Sequence, residues 1–144
     1  MYGQNIEKLE TLKTKDMYTD KIVSVANKLN ANIEGYTLNL HGDEPKTSRH
    51  NQRYIVGGFA EELKIKWSPA NVRGQAIYDF VEKNIAMGSL DGFFFGVWTF
   101  DGHIYLDVCV ALNNKTHSLR VAKEKKEIAI FDNLYKETIM VSKN

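Results

Sequence analysis

The sequence predicts an α+β domain: a mostly antiparallel sheet of about five to seven strands, with two or three flanking helices. Three observations carry that expectation. In residues 91–110, DGFFFGVWTFDGHIYLDVCV, Asp101-Gly102 stands between two apolar runs, and both turn residues tolerate positive φ, the mark of a tight hairpin. Ser68-Pro69 opens a long stretch of helical spacing. The remaining strand-like segments meet strands by short turns, with helices interspersed and not strictly alternating, which favours antiparallel pairing.

Taken in order, residues 1–17 form a charged extension in which 5–14 can make a short helix through Ile6, Leu9 and Leu12. A single domain occupies 18–144. Its first helix begins near Tyr18 and ends near Leu29, where Ile22, Val25, Ala26 and Leu29 repeat at three- and four-residue spacings. Gly35 opens the strand YTLNL. HGDEPKTSRHNQ lacks periodicity and carries turn residues, so it is a loop. RYIVGGF and ELKIKW read as strands, with Lys64 and Lys66 facing solvent and Gly57-Gly58 as a bulge or close approach. The next helix has Ser68 as its cap and Pro69 at its first position. It runs to about Ala86 and stops at Gly88, with ridges of Val72, Ala76 and Phe80 and of Ile77, Val81 and Ile85. After the hairpin, Asn113 or Asn114 caps a short helix with Leu119 and Ala122, and EIAIFD and ETIMV close the sheet around Asn133.

Counting outward from a two-residue Asp101-Gly102 loop pairs Phe100 with His103, Trp98 with Tyr105, Gly96 with Asp107 and Phe94 with Cys109. Alternation then separates two faces. Phe93, Phe95, Val97, Ile104, Leu106, Val108 and Val110 make a wholly apolar face, which is core. The other face carries Phe94, Gly96, Trp98, Phe100, His103, Tyr105, Asp107 and Cys109. There the absent side chain of Gly96 leaves a notch beside Asp107, roofed by Trp98 and Tyr105. Aromatic walls and one acceptor suit a base or another flat polar ligand. The competing expectation is that a helix or a second subunit covers this face and that Asp107 caps backbone N–H groups, because a buried unpaired charge is costly.

At 144 residues, 43% apolar and 26% charged, the chain is long enough for its own core and has the composition of a folded protein. Lysine plus arginine total 19 against 18 acidic residues, so no general attraction for nucleic acid is indicated; a local basic patch stays open. The single Cys109 excludes an internal disulfide framework and suits a reducing compartment. No apolar run approaches the ~20 residues of a membrane-spanning helix, and the charged N-terminus lacks a secretory apolar stretch. The expected location is the cytoplasm.

Catalytic patterns are absent. The four histidines show no H-E-x-x-H spacing, and one cysteine cannot build a thiolate metal site. His103 and Asp107 share a strand face but stand ~13 Å apart. No nucleophile elbow, phosphate loop or dinucleotide fingerprint occurs. The chain reads as non-enzymatic, with no metal, cofactor or catalytic residue expected. In KTSRHNQR, residues 46–53, Arg49, His50 and Arg53 lie beside Thr47 and Ser48, a set able to grip phosphate or carboxylate. A solvated polar loop is the alternative. The interleaved charges of Arg120, Lys123, Glu124, Lys125, Lys126 and Glu127 read as a solvated helix face.

GYTLNLHGDEP at 35–45, the YIVGGF strand, the proline-started helix, GVWTFDGHIYLDV at 96–108 and EIAIFD at 127–132 follow one another in an order that resembles a loosely related set of small accessory proteins of phages, prophages and conjugative elements. The likeness spans about residues 18–141. Glu127 departs from the glutamine usual in that set, and of its paired alanines only Ala122 is kept. The resemblance implies an accessory gene of a mobile element, a class that often counters host defence. Joined to the residue reading, it gives the expectation of a binding protein that acts by occupancy, sequestering a nucleotide-type signalling molecule. Trp98, Tyr105 and Phe94 would hold its base, Asp107 would hydrogen-bond it, and Arg49, His50 and Arg53 would hold its phosphate. The alternative is a protein–protein inhibitor that masks a host defence protein, or an assembly component. A homo-oligomer is expected, because a second subunit would close so shallow a site.

Overall fold

A computed structural model describes residues 18–46 and 52–142. One seven-stranded, wholly antiparallel sheet is assembled from β1 (Gly35–Leu38), β2 (Tyr54–Val56), β3 (Leu63–Lys66), β4 (Phe93–Phe100), β5 (His103–Leu112), β6 (Ala129–Asp132) and β7 (Glu137–Met140). The helices are α1 over residues 18–31, α2 (Ala70–Lys83), the single turn α3 (Ile85–Gly88) and α4 (Lys115–Glu124). The α+β class holds. The short helix expected at 5–14 and the residues Thr47, Ser48, Arg49 and His50 lie outside the described residues.

The β4–β5 hairpin has the register obtained by counting, through all eight pairs from Phe93↔Val110 to Phe100↔His103. Asp101 and Gly102 take φ of 50° and 73°, the doubly left-handed turn whose twist matches the strands it joins. β4 carries β1 on its outer side. The outer edge of β5 is divided: its first half pairs with β3 from His103 to Leu106, its last residues pair with β2 from Val110 to Leu112, and β6 and β7 extend the sheet beyond β2.

All the apolar faces of the long helices fall on one side. Ile22, Val25, Ala26 and Leu29 of α1 and Ile77, Phe80 and Val81 of α2 bury Leu38, Phe95, Val97, Ile104, Leu106 and Val108. Ala122 of α4 closes a second cluster over Tyr54, Val56, Val110 and Ile130. The first hairpin face is therefore the core, as its uniform apolarity predicts.

Three local expectations are corrected. Pro69 occupies the cap of α2 and no side chain caps it; the Ser68 carbonyl instead accepts from Arg73 Nη1 at 2.7 Å. Val72 faces solvent, 64% exposed, because the buried stripe runs through Arg73, Ile77, Phe80 and Val81. Arg73 is tolerated there because its fork also reaches the side chain and carbonyl of Asn30, tying the end of α1 to the start of α2. The helix also does not run unbroken to Ala86. It stops at Asn84, whose side-chain amide donates to the Phe80 carbonyl at 2.9 Å, and one separate turn follows. That turn ends at Gly88 for a packing reason: a Cβ there would overlap the Phe95 ring.

Candidate functional site

Among the described residues, no helix packs on the second face of the sheet. The strand order places β4 and β5 between β1 and β2, and the connection that joins those two strands starts beside the Phe94 end of the pair. Leu40 and Pro45 of this connection are buried, and Leu40 borders the same cleft as Phe94. Asn39 starts the connection by accepting from the N–H groups of His41 and Asp43, which ends β1. Its neck is closed where Lys46 N–H donates to Gln52 Oε1 at 2.7 Å. At this end Phe94, Cys109 and Ala111 are buried. Burial pushes the Cys109 thiol far above its ordinary range, so it is an inert small hydrophobe. The adjoining cleft, of about 270 Å³, is lined by polar groups such as His41, Asp43, Lys46 and Asp91, with Phe94 at its floor.

Toward the Asp101-Gly102 turn the same face is open. Trp98 is 45% exposed and Phe100 60% exposed. Trp98 stacks on Tyr105 with ring centroids 4.8 Å apart and an interplanar angle of 23°, and on Phe100 at 5.7 Å and 30°. This row arises because Trp98 and Tyr105 are cross-strand partners and Phe100 is the next residue of β4 on that face. Lys64 and Lys66 of β3 pair with Tyr105 and His103, so alternation places their side chains on this face too. Lys64 Nζ lies 5.7 Å from the Tyr105 ring centre, a cation–π contact. The open half of the sheet thus presents three aromatic rings in continuous contact, two ammonium groups and the His103 imidazole.

The Gly96 notch is real but shallow. A Cβ at Gly96 would find Cys109 Sγ at 3.8 Å and Thr37 Oγ1 at 4.0 Å, ordinary contacts that leave room for little more than a methyl. Asp107 does not line it as an open acceptor. Its Oδ2 accepts from the Gly58 N–H at 2.8 Å and its Oδ1 from the Val108 N–H at 2.8 Å. The carboxylate fills the gap on the β5 edge between the end of β2 and the start of β3, where the chain passes through Gly57-Gly58. A Cβ at Gly57 would overlap Asp107 Oδ2 and stand 2.7 Å from Glu127 Oε1, and Gly58 has φ of 86°. This is the close approach that two adjacent glycines suggest.

Burial raises the Asp107 carboxyl to about 6 against the two N–H bonds that lower it, with Glu127 and Glu62 adding repulsion. Glu127 is raised by burial and by Glu62; Glu62 is raised by burial and relieved by Lys64. Glu127 reaches this spot because α4 ends in a Schellman motif, with Glu127 N–H donating to Ala122 O, Lys126 N–H to Lys123 O, and Lys126 at φ of 60°. The basic cluster is therefore more than a solvated face: Lys125 Nζ sits 4.6 Å from the Phe59 ring centre, and Glu127 is half-buried.

Of the residues expected to bind, the structure gathers Trp98 and Tyr105 on the open face. Phe94 lies on that face beneath the covered end, and Asp107 is turned to the neighbouring edge. Arg53 lies elsewhere. Its Nε and Nη2 donate to the two Asp132 oxygens at 3.0 and 2.8 Å, and the guanidinium packs against the Tyr54 and Tyr135 rings at 5.0 and 4.8 Å. Asp132, also bonded to the N–H groups of Leu134 and Tyr135, is held down at about 2 mainly by that arginine. Phe100 and His103, which the register puts on this face, and Lys64 and Lys66, expected to face solvent, join the open site without having been assigned a binding role. The signal was present in the solvent-facing alternation of ELKIKW, but its pairing to β5 is non-local.

Among the described residues, no group of three His, Cys, Asp or Glu side chains is arranged to hold a metal ion, and no helix is long and apolar enough to cross a membrane. Comparison with models of known protein families, with curated proteins and with solved structures finds no match.

Proposed function

We propose that the chain is a non-enzymatic accessory binding protein that works by occupancy, holding a nucleotide-type ligand on the open half of the sheet. The observation that supports this reading is the exposure of Trp98 and Phe100, beside the half-buried Tyr105, together with the exposed Lys64–Lys66 pair on one face. The edges of the mutually stacked rings and the outer face of Phe100 offer apolar contact to a base, and ammonium groups offer contacts to phosphate. In the cytoplasm of a cell carrying a mobile element, such a protein would act against defence by removing a nucleotide signal. A second copy set against the rim would wall the shallow site, which is the purpose of the homo-oligomer in this reading.

The test is titration with nucleoside mono-, di- and cyclic dinucleotides, followed by tryptophan fluorescence. Only Trp67 and Trp98 contribute to that signal. Saturable quenching that disappears in Trp98→Ala supports the site. Quenching that persists unchanged in Trp98→Ala refutes it.

The flatness of the face supports a second reading, a protein–protein inhibitor or assembly component. A sheet surface with two exposed rings, Trp98 and Phe100, beside the half-buried Tyr105 also suits the aromatic core of an interface. Light scattering of mixtures with a candidate host protein separates the two, since only this second reading gives a stoichiometric complex lost in Trp98→Ala and Phe100→Ala.

A further inference from the structure

We infer that the seam between β2 and β3 is a pH-sensitive conformational device, in which charging of the Asp107 and Glu127 carboxyls releases the Gly57-Gly58 crossing from β5. The first argument is geometry. β2 leaves β5 at Val110 and β3 meets it again at Leu106, so residues 107–109 run beside a crossing and not beside a strand. Phe59 N–H donates to the Val108 carbonyl at 3.2 Å, while the Val108 N–H, which points to the same side, donates to Asp107 Oδ1. Asp107 Oδ2 accepts from the Gly58 N–H. One carboxyl thus bridges two backbone donors where a strand partner would otherwise stand. The crossing it holds is built to move: two adjacent residues lack side chains, and the second has φ of 86°.

The second argument is the charge gathered there. Glu127, just beyond α4, brings Oε1 to 2.7 Å from the Cβ position of Gly57, which Asp107 Oδ2 also crowds. Glu62, just before β3, repels both. The nearby cations lie against rings: Lys64 relieves Glu62 and sits over Tyr105, and Lys125 sits over Phe59. On the β4 side Gly96 pairs with Asp107 and brings no charge, and burial keeps the Cys109 thiol neutral. Among the described residues, no cation forms an ion pair with Asp107 or Glu127. Burial is the main cause that holds the Asp107 carboxyl up at about 6, against its two N–H bonds and with Glu127 and Glu62 adding repulsion. A raised carboxyl stabilises the closed seam fully below its ordinary range, and that contribution is lost as pH rises through 6. If opening returns Asp107 to its ordinary value, the opening constant rises about five- to tenfold between pH 5 and 7.5, the lower figure allowing for partial contact with water. The crossing leads directly into β3, so the device reaches the Lys64–Lys66 flank of the open face whatever that face binds.

The experiment is amide hydrogen exchange of the full chain, followed by NMR between pH 5 and 7.5 and corrected for the intrinsic pH dependence of exchange. The Gly58 and Val108 amides should open about five- to tenfold more often at pH 7.5 than at pH 5. They should do so far more often than the amides of residues 95–98, which lie between β1 and β5. Dilute urea should leave the Gly58 and Val108 rates unchanged while raising those of residues 95–98, because a local opening exposes little surface. Asp107→Asn should abolish the pH response. Because that change also disturbs the bridge, Glu127→Gln provides a second variant: it leaves the bridge intact and should move the midpoint of the response to lower pH. Gly58 and Val108 rates that match those of residues 95–98 in size and urea dependence overturn the device, since the seam then opens only when the whole domain unfolds. A pH response that persists in Asp107→Asn overturns it as well. An unchanged midpoint in Glu127→Gln refutes the part assigned to Glu127.

Discussion

Replacing Asp107 with asparagine removes a charge from the crowded gap between β2 and β3 while keeping the shape of the side chain. In the wild type this carboxyl titrates at about 6, above its ordinary 3.8, chiefly because it is buried. A raised carboxyl pKa means that the folded state prefers the protonated form. Its stabilising contribution is complete below the ordinary value and is lost as pH rises through 6. Integrating that linkage, about 1.4 kcal/mol disappears between pH 5 and pH 7.5, and partial contact of the carboxylate with water reduces this to roughly 1 kcal/mol. Glu127 and Glu62 are shifted in the same direction, so they add to the slope. For a domain of this size, 1 kcal/mol is about 3 °C in Tm. Thermal melts by circular dichroism at pH 5 and 7.5 in low salt should therefore show the wild type losing roughly 3 °C more than Asp107→Asn across that interval. Absolute stability is a poorer readout, because an amide has one oxygen for the two N–H donors of Gly58 and Val108. An equal pH response in the two proteins would refute the assignment of this titration to Asp107.

Lys126→Gly should raise Tm by about 3 °C, since the left-handed position of the Schellman motif costs a side-chain-bearing residue about 1 kcal/mol; differential scanning calorimetry reads it directly. Gly57→Ala should destabilise by about 2 kcal/mol, because its methyl displaces the Asp107 carboxylate and crowds Glu127, and urea melts should report it. Asp132→Asn should cost about 2 kcal/mol at pH 7 by weakening the bonds to Arg53, Leu134 and Tyr135. Asp132 has a lowered pKa, so its contribution is present above the ordinary value and lost as pH falls through about 2. The gap between variant and wild type in melts should close as the solution is acidified from pH 4 toward 2.

What could be read in the sequence was mostly local. The hairpin register followed from one dipeptide and a two-residue alternation, and the core face followed from the register. The Asn114 cap, observed as Asn114 Oδ1 accepting from the His117 N–H, is likewise a three-residue event. The misses were decided at a distance. Arg73 is buried because Asn30, forty-three positions earlier, supplies an oxygen pair. Asp107 follows the competing expectation and caps backbone N–H groups, but its partner Gly58 stands forty-nine positions earlier. Arg53, expected at a phosphate, is engaged by Asp132, seventy-nine positions later. For the site, Trp98 and Tyr105 came from local counting, whereas the lysines beside them needed the β3–β5 pairing.

The divided edge of β5 also governs the order in which the molecule assembles. β4 and β5 are joined by two residues, so their pairing closes a very small loop. Every other partner of this pair, β1, β2 and β3, precedes it and must be gathered across α2 or the connection between β1 and β2. Closing such loops costs entropy before any contact repays it. The hairpin is thus the template on which three earlier segments condense, and β5, hydrogen-bonded on both sides, should hold the slowest-exchanging amides of the sheet. β1 and β7, each at a border, should open first.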